Sequence, residues 1–319
     1  MKIQKTIIPI LITVLIISTI SGCIDGPVEN QNNKVEIQGK QGSYTIIERA
    51  LENASNGDTI IVYPGHYKES LRINKSITLK GINRDTTIID GNYEGDVIYI
   101  ISDNVNISTL TITNSSNISH DLNAGIDVRS NNNSIINNKI IKNGYYAIYF
   151  GNNVKHCTIK NNNISDNKWA IDFNYASENN ISHNIISNNS DYGIYLGSQS
   201  NSNQIFDNIF SENNYAIRIK GSNINEVVKN TFKNNDRGVY FCCGSRNNIV
   251  HHCNFYNGSD YHGRDYLDNS WDDGSQGNYW DDYDGVDENG DGIGDTPYRI
   301  GEVYDEPDIF DNYPLMFPI

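Results

Sequence analysis

Apolar residues recur every 22 or 23 positions through the middle of the chain, each directly after Gly or Ala. A second apolar residue follows two positions later, which is the period of a strand with one buried face. A coil of this length cannot bury its apolar face alone, so the repeat predicts a stacked solenoid. The recurring positions are Ile126, Ile148, Ile171, Ile194, Ile217 and Val239.

A second pattern, apolar-x-x-Asn-x-apolar, recurs in the same coils. We interpret it as a second strand per coil, with Asn side chains stacked and hydrogen-bonded along the axis. The Asn-rich segments between strands are typical of turns with left-handed backbone. Together the patterns predict an all-β, right-handed parallel β-helix rather than a leucine-rich repeat or a propeller. The central Asn positions are Asn138, Asn162, Asn184, Asn208 and Asn230, with Cys253 in the sixth coil.

The ends of the solenoid need covers, because an open end exposes unpaired strand edges. Residues 43–54 are amphipathic and predict a capping helix, followed by first strands at residues 59–63 and 76–79. We therefore expect the β-helix over residues 43–256 and an acidic C-terminal cap over residues 257–319.

The first 23 residues have the parts of a lipoprotein-type signal peptide. Lys2 and Lys5 precede an apolar run over residues 7–20, and small residues lead to Cys23. We expect Cys23 to carry a lipid that anchors the protein at the extracellular face of the membrane, with residues 24–42 as a polar tether. The alternative is an uncleaved N-terminal anchor, although the apolar run is short for a full membrane span.

The net charge and the amino-acid composition limit the classes of molecule that the protein could bind. The net charge of −15 excludes nucleic acid, and it excludes anionic lipid surfaces apart from the lipid anchor itself. It is compatible with neutral glycans and divalent cations, and we expect a monomer. Asn accounts for 49 residues, and ten Asn-x-Ser sequons offer glycosylation sites on an exported protein.

Several segments resemble NosD-like right-handed β-helix proteins, closest to archaeal cell-surface members. The resemblance covers nearly all of the chain after the signal segment. It implies the β-helix fold, and it implies function only through relatives that bind or cleave carbohydrate or take part in copper maturation. The segments are residues 44–48, 56–60, 64–67, 76–81, 277–283 and 287–295.

Residues that follow the anchoring apolar positions form a predicted outward stripe. Aromatic, carboxylate and guanidinium groups on a flat sheet suit a sugar chain, so we predict a carbohydrate-binding surface. The alternative is that these side chains only stabilise the sheet by cross-strand contact. The stripe comprises Tyr99, Asp127, Tyr149, Asp172, Tyr195, Arg218 and Tyr240, beside a second aromatic column of Tyr146, Trp169, Tyr192 and Tyr215.

Catalysis along this stripe is the main rival interpretation. Asp127 and Asp172 would lie two coils apart, ~9.6 Å, near the upper limit for an inverting carboxylate pair. Motifs of known β-helix lyases and esterases are not evident, so we assign no catalytic residue. The favoured function is a surface-anchored carbohydrate-binding, scaffold or adhesion protein, with a polysaccharide-active enzyme and a copper-delivery protein as alternatives.

The segment from Asp287 to Asp295 follows the first nine positions of an EF-hand-type loop. Oxygen ligands at positions 1, 3, 5 and 9, a backbone carbonyl at 7 and Gly at 6 suit a hard cation. We predict structural calcium here, although position 12 is Tyr298 and not Glu. A solvated acidic loop is the alternative. The predicted ligands are Asp287, Asn289, Asp291, the Ile293 carbonyl and Asp295.

Soft ligands cluster within twelve residues near the end of the repeats. They would suit copper or zinc, yet we favour a disulfide between two of the cysteines, or a buried thiol, in an exported protein. Cys157 remains unassigned. The cluster contains Cys242, Cys243, His251, His252 and Cys253.

Overall fold

The computed structural model describes residues 33–118, 123–266, 268–301 and 308–319. The chain winds into a solenoid of three parallel sheets, here called A, B and C, so that each coil contributes one strand to each sheet. The predicted parallel β-helix is confirmed. Among the residues described, none of the helical segments has the length and apolar character of a membrane span. Cys23 and its signal segment lie outside the described residues.

Sheet A has ten strands, the first antiparallel to the second, and sheets B and C have ten and nine parallel strands. Sheet A contains Val35–Ile37, Thr59–Val62, Thr78–Gly81, Asn106–Ser108, Ser134–Ile136, Thr158–Lys160, Asn180–Ser182, Gln204–Phe206, Glu226–Val228 and Ile249–His251. Sheet B contains Gly65–Lys68, Thr87–Asp90, Thr111–Thr113, Lys139–Ile141, Asn163–Ser165, Ile185–Ser187, Ile209–Ser211, Thr231–Lys233, Asn254–Tyr256 and Tyr279–Trp280. Sheet C contains Leu71–Ile73, Ile98–Ile100, Ala124–Val128, Tyr146–Phe150, Trp169–Asn174, Tyr192–Gly197, Tyr215–Lys220, Arg237–Cys242 and Tyr261–Arg264.

The predicted column of apolar residues exists in sheet C. Ile126 pairs with Ile148, and the register continues one residue per coil to Val239. The small residue before each column member is required by the next coil. A Cβ on Gly193 would lie 2.5 Å from the carbonyl oxygen of Ala216, and one on Gly238 would lie 2.0 Å from that of His262. Larger side chains there would force the coils apart.

The pattern apolar-x-x-Asn-x-apolar was expected to form one strand. It forms instead a corner between two strands. Ile135 belongs to sheet A and Ile140 to sheet B, with Asn138 buried between them. The residue before the corner Asn has a left-handed backbone, as Asn137 does with φ 58°. That conformation turns the chain and points the next side chain inward, so the Asn amide satisfies buried backbone groups at the bend.

Two further Asn columns, which the sequence reasoning missed, occupy the other corners at spacings of five residues. Each corner side chain hydrogen-bonds to an adjacent coil. Cys157 replaces Asn in one column and Cys253 in another. The columns are Asn133, Cys157, Asn179, Asn203, Asn225, Asn248 and Asn269; Asn138, Asn162, Asn184, Asn208, Asn230, Cys253 and Asn278; and Asn143, Asn167, Asn189, Asn213 and Asn235.

The N-terminal end is covered by a helix at Ile47–Asn53, shorter than the predicted 43–54. Its apolar side, including Ala50, is buried on the first coil. Glu69, from the turn before sheet C, accepts hydrogen bonds from the backbone N of Ile47 and of Glu48, both at 2.9 Å. A carboxylate at the helix N-terminus satisfies backbone donors that have no partner within the helix.

Part of the expected tether is folded. Strand Val35–Ile37 pairs with Thr59–Val62, and both Val35 and Ile37 are buried. The tether prediction is therefore wrong for these residues, because alternating apolar residues in a short polar segment are enough to add an edge strand.

The β-helix also continues past the expected boundary at residue 256. Tyr261–Arg264 pairs with the last full strand of sheet C, and Tyr279–Trp280 pairs with Asn254–Tyr256 in sheet B. Stacked rings close this end, with Phe255, Trp280 and Tyr298 in successive layers 4.3 Å apart. A small antiparallel pair, Tyr298–Arg299 with Phe310–Asp311, lies beyond them.

Candidate ligand-binding face

The predicted stripe lies on the outer face of sheet C in unbroken register. Each member pairs with its counterpart in the next coil. The stripe points outward because the residues before and after each member in its strand are the inward-facing apolar columns. The register extends by one arginine at each end. The complete stripe is Arg72, Tyr99, Asp127, Tyr149, Asp172, Tyr195, Arg218, Tyr240 and Arg264.

The second aromatic column runs beside this stripe and is separate from the main core. Trp169 is central to it, with ring centroids 5.5 Å from Tyr146 and 4.5 Å from Tyr192. Trp169 also contacts Tyr195 of the first stripe at 4.9 Å. Most of these pairs are tilted or edge-to-face, which is the favoured packing of aromatic rings. The two columns form one continuous aromatic surface.

Outward direction does not mean full exposure on this face. Asp127, Tyr149 and Asp172 are only 3%, 5% and 5% exposed, since the rings of neighbouring coils cover them. Tyr195 and Tyr240 remain half-buried. The cross-strand stabilisation considered from the sequence is thus present, and the accessible part of the face consists of partly exposed rings and guanidinium groups.

Arginine is concentrated here. Five of the nine arginines in the chain lie on or beside this face, in a protein whose net charge is −15. The Arg218 guanidinium lies 5.3 Å to 5.9 Å from four tyrosine ring centroids and donates to the Tyr192 hydroxyl at 2.7 Å. Cation–π contacts hold the group near the rings. The five are Arg72, Arg129, Arg218, Arg237 and Arg264.

A groove of about 680 Å³ opens at the N-terminal part of the face, between Tyr99 and Arg129. Asp127 accepts two hydrogen bonds from Arg129, at 2.6 Å from Nε and 2.8 Å from Nη2. Asp96 lines the same groove, and its Oδ1 accepts from the backbone N of Ala124 at 2.7 Å. Burial raises the pKa of Asp96 to about 6 despite that bond, and the Asp127 charge adds to the rise.

Asp172 has the most perturbed carboxyl on the face. Burial raises its pKa to about 7, while a hydrogen bond with Tyr146 acts in the opposite direction. Its Oδ1 has no hydrogen-bond partner among the described residues. A carboxyl with a pKa near neutral pH is about half protonated there and can donate or accept a proton, which is the property required of a general acid–base group.

The predicted calcium loop folds as a compact turn around Asp287. Its Oδ1 accepts from the backbone N of Gly290 at 2.7 Å, and its Oδ2 accepts from that of Gly292 at 2.9 Å. Gly292 has φ 87°, which favours glycine at that sharp bend. Asp291 and Asp295 instead accept from the backbone N of Ile293 and of Glu288. The loop thus has the turn that the motif predicts, and calcium itself remains a prediction.

The five predicted soft ligands do not form one cluster. The Sγ atoms of Cys242 and Cys243 lie 3.0 Å apart beside Arg218, at the edge of sheet C. Cys253 is buried in an Asn column, and burial raises its thiol pKa to about 12. The four cysteines of the described part form no disulfide.

His251 and His252 instead meet Asp273 on the corner between sheets A and B. One ligand atom from each of the three lies within 4.8 Å of the others. A second such group in the described residues joins His262 to Asp281 and Asp282. Neither set includes a thiol.

A family model described as periplasmic copper-binding protein (NosD) matches residues 51–285, well over half of the chain. This chain belongs to the NosD family. A search of curated proteins found no match to this NosD-family chain.

Solved structures similar to this NosD-family protein share its fold. The alginate lyase from Paenibacillus sp. str. FPU-7 is 16% identical with a TM-score of 0.53, covering 73% of this chain and 94% of that one. DFA-IIIase from Arthrobacter chlorophenolicus A6 is 16% identical with a TM-score of 0.54, covering 73% and 70%. The A-module of mannuronan C-5 epimerase AlgE6 from Azotobacter vinelandii is 13% identical with a TM-score of 0.50, covering 73% and 82%.

The NosD description implies copper, and two groups of side chains in this chain carry donor atoms of the type that copper prefers. Imidazole nitrogens suit copper and zinc, and His251 with His252 supplies two of them on one corner. The thiol pair at Cys242 and Cys243 lies against the cationic Arg218, which disfavours a second cation there. The histidine corner therefore fits such an ion better than the cysteines do.

Sequence reasoning missed five residues on or beside the face: Asp96, Arg129, Arg237, Arg72 and Arg264. Asp96 and Arg129 lie outside the repeat positions that were compared between coils, so no periodic signal marked them. Arg72 belongs to a short strand upstream of the clear repeats. It could have been found by extending the 22- to 28-residue spacing back from Tyr99 to the preceding Leu-x-Ile segment.

Proposed function

We propose that this NosD-family protein binds an acidic polysaccharide along the outer face of sheet C. The observation that carries the proposal is the in-register stripe over nine coils, in which seven of the nine positions are arginine or tyrosine. Coils rise by ~4.8 Å, so eight intervals make a surface about 38 Å long. That length suits a polymer rather than a single sugar.

The chemistry of the face favours acidic sugars. Guanidinium groups bind carboxylates by paired hydrogen bonds, and aromatic rings pack against apolar faces of sugars. Arg218 and the tyrosine rings around it provide both kinds of contact in the same part of the face. Two of the solved neighbours are named for alginate and mannuronan, both polymers of uronic acids. That likeness is one of fold, and it supports the ligand class without transferring an activity.

The proposed place of action is the cell envelope. The family is described as periplasmic, and the N-terminal segment reads as a lipoprotein-type signal ending at Cys23. We propose that a lipid on Cys23 keeps the β-helix at the outer side of the membrane, where it acts as a glycan-binding scaffold.

Binding can be measured by titrating the protein with alginate oligosaccharides and with neutral dextran at low and high salt. We expect alginate to bind and dextran to bind at least tenfold more weakly. Arg218→Gln and Tyr195→Ala should each weaken alginate binding about tenfold or more. Matched controls on exposed turns, Arg246→Gln and Tyr175→Ala, should leave it unchanged. Equal losses in Arg218→Gln and Arg246→Gln would assign binding to overall charge and remove the case for sheet C.

Asp172 favours a second candidate, a polysaccharide-active enzyme. Its raised pKa and its place between Tyr149 and Tyr195 put an acid–base group on the proposed binding face. Incubation with alginate, followed by analysis for new reducing ends, unsaturated sugars and epimerised residues, separates the two functions. If product forms, Asp172→Asn should abolish it while oligosaccharide binding persists. If alginate binds and no product forms, the protein is a binder.

A further inference from the structure

Two consecutive histidines converge with a carboxylate at the C-terminal end of the solenoid. The Nδ1 atoms of His251 and His252 lie 2.7 Å apart. Asp273 Oδ2 lies 3.9 Å from the first and 4.0 Å from the second. His252 has a left-handed backbone with φ 52°, and this turns its ring back toward that of His251. The three ligand atoms surround a single point.

The outer nitrogen of each ring faces an oxygen. His251 Nε2 lies 3.4 Å from Glu226 Oε1, and His252 Nε2 lies 2.8 Å from Gln276 Oε1. A carboxylate or amide oxygen only accepts hydrogen bonds, so the tautomer that satisfies both contacts has its proton on Nε2. In the neutral rings, both Nδ1 atoms then present lone pairs. Two lone pairs 2.7 Å apart repel each other unless a cation lies near both, either a proton that makes one Nδ1 an N–H donor to the other or a metal ion.

Asp273 is held ready as a third donor. Its Oδ1 accepts hydrogen bonds from the backbone N and hydroxyl of Ser275, at 2.8 Å and 2.7 Å, and from the backbone N of Gln276 at 2.8 Å. These bonds fix the carboxylate and leave Oδ2 directed at the histidines. Ligands of a tetrahedral ion at 2.0–2.1 Å lie roughly 3.4 Å apart, and the observed separations lie on either side of that value.

We propose that His251, His252 and Asp273 bind one divalent ion of the zinc and copper class. Glu226 and Gln276 orient the two imidazoles from behind, as outer partners of metal-bound histidines do. The site lies on the corner between sheets A and B, so it is separate from the proposed polysaccharide face on sheet C. It contains no cysteine, in contrast to the cluster expected from the sequence.

The test titrates the full chain, freed of metal with EDTA, with Zn²⁺ and separately with Cu²⁺ by calorimetry. Calcium at 1 mM is present throughout to occupy hard-cation loops. We expect one equivalent to bind, and His251→Gln, His252→Gln and Asp273→Asn each to weaken affinity at least tenfold. Gln276→Leu should weaken it about tenfold by releasing the His252 ring. The Cu²⁺ complex should show nitrogen hyperfine splitting from two imidazoles in its electron paramagnetic resonance spectrum, and from one in His251→Gln.

Two control variants define the site. His183→Gln removes an exposed histidine near Asp207, and Cys243→Ser removes the exposed thiol. Both should bind metal as the unaltered protein does. Melting temperatures without metal show whether each variant is folded. The proposal is overturned if a folded His252→Gln protein binds within twofold of the unaltered one, or if Cys243→Ser removes the bound equivalent.

Discussion

Asn184 donates two hydrogen bonds to one oxygen of Asn208 in the next coil. Its backbone N and its Nδ2 both lie 2.9 Å from Asn208 Oδ1, and Nδ2 also lies 2.9 Å from the carbonyl oxygen of Ile159. Asn162 makes the same pair of contacts to Asn184 from the preceding coil. Each corner amide therefore joins three coils in a place that water does not reach.

We expect Asn184→Ala to lower the free energy of unfolding by about 2–4 kcal/mol. The change leaves the backbone N and side-chain amide of Asn162 and the carbonyl of Ile159 without their partner, and each buried unsatisfied group costs about 1–3 kcal/mol. Urea denaturation followed by circular dichroism measures the loss.

Asn152→Ala is the matched control, since Asn152 is exposed in a turn between coils. Its unfolding free energy should stay within about 0.5 kcal/mol of the unaltered protein. An equal cost for both variants would show that the Asn columns do not stabilise the solenoid.

Cys157 offers the reverse experiment, because it already stands where the column otherwise has Asn. Its Sγ accepts from the backbone N of Asn133 at 3.4 Å, while its own N donates to Asn179 Oδ1 at 2.9 Å. Asn at this site would supply a stronger acceptor and a new donor. We expect Cys157→Asn to raise the midpoint of urea denaturation, with a gain of up to about 1 kcal/mol.

The control for that variant is Cys157→Ala, which removes the acceptor and leaves a small void. It should be less stable than the unaltered protein by about 1–3 kcal/mol. If Cys157→Asn were the less stable of the two, the corner would be shaped for sulfur and the column would not tolerate a further amide.

The repeat spacing predicted the fold because backbone pairing forces matching residues into columns, and Ile126, Ile148 and Ile171 pair accordingly. It did not reveal that Asn138 sits at a corner, since two short strands on either side of a bend have the same apolar spacing as one irregular strand. Nor could it predict the burial of Asp172. That depends on how the neighbouring rings tilt, a property of three-dimensional packing that no single-sequence pattern records.

Asp172 should make stability fall as pH rises from about 4 to about 7. The folded-state pKa of about 7 lies above the usual carboxyl value of ~3.9, so the folded protein holds a proton that the unfolded chain has released. The contribution of the protonated Asp172 carboxyl to the free energy of unfolding is therefore fully present below pH 4 and is lost as the pH rises to about 7. We expect the melting temperature of Asp172→Asn to exceed that of the unaltered protein by more at pH 8 than at pH 4.5.

Asp96→Asn and Asp311→Asn are useful comparisons, because burial raises both carboxyl pKa values to about 6. The difference in melting temperature between each of these variants and the unaltered protein should stop changing with pH about one pH unit lower than it does for Asp172→Asn. A difference for Asp172→Asn that does not change with pH would mean that its carboxyl is ionised throughout the range.

The acidic loop should stabilise the C-terminal end when calcium binds. Asp287 already organises the turn, and the loop is joined to the chain end because Gly294 N donates to the Pro314 carbonyl and Met316 N to that of Gly292. Calcium at 100 times its dissociation constant would add about 2.7 kcal/mol. We expect 1 mM calcium to raise the melting temperature relative to EGTA, and Asp287→Asn to remove that difference.

Glu288→Gln changes the same charge in the same loop at a position that is not a predicted ligand, so it should keep the calcium response. Loss of the response in both variants would show a general effect of acidic charge, and no response in the unaltered protein would leave the loop as a turn held by its own hydrogen bonds.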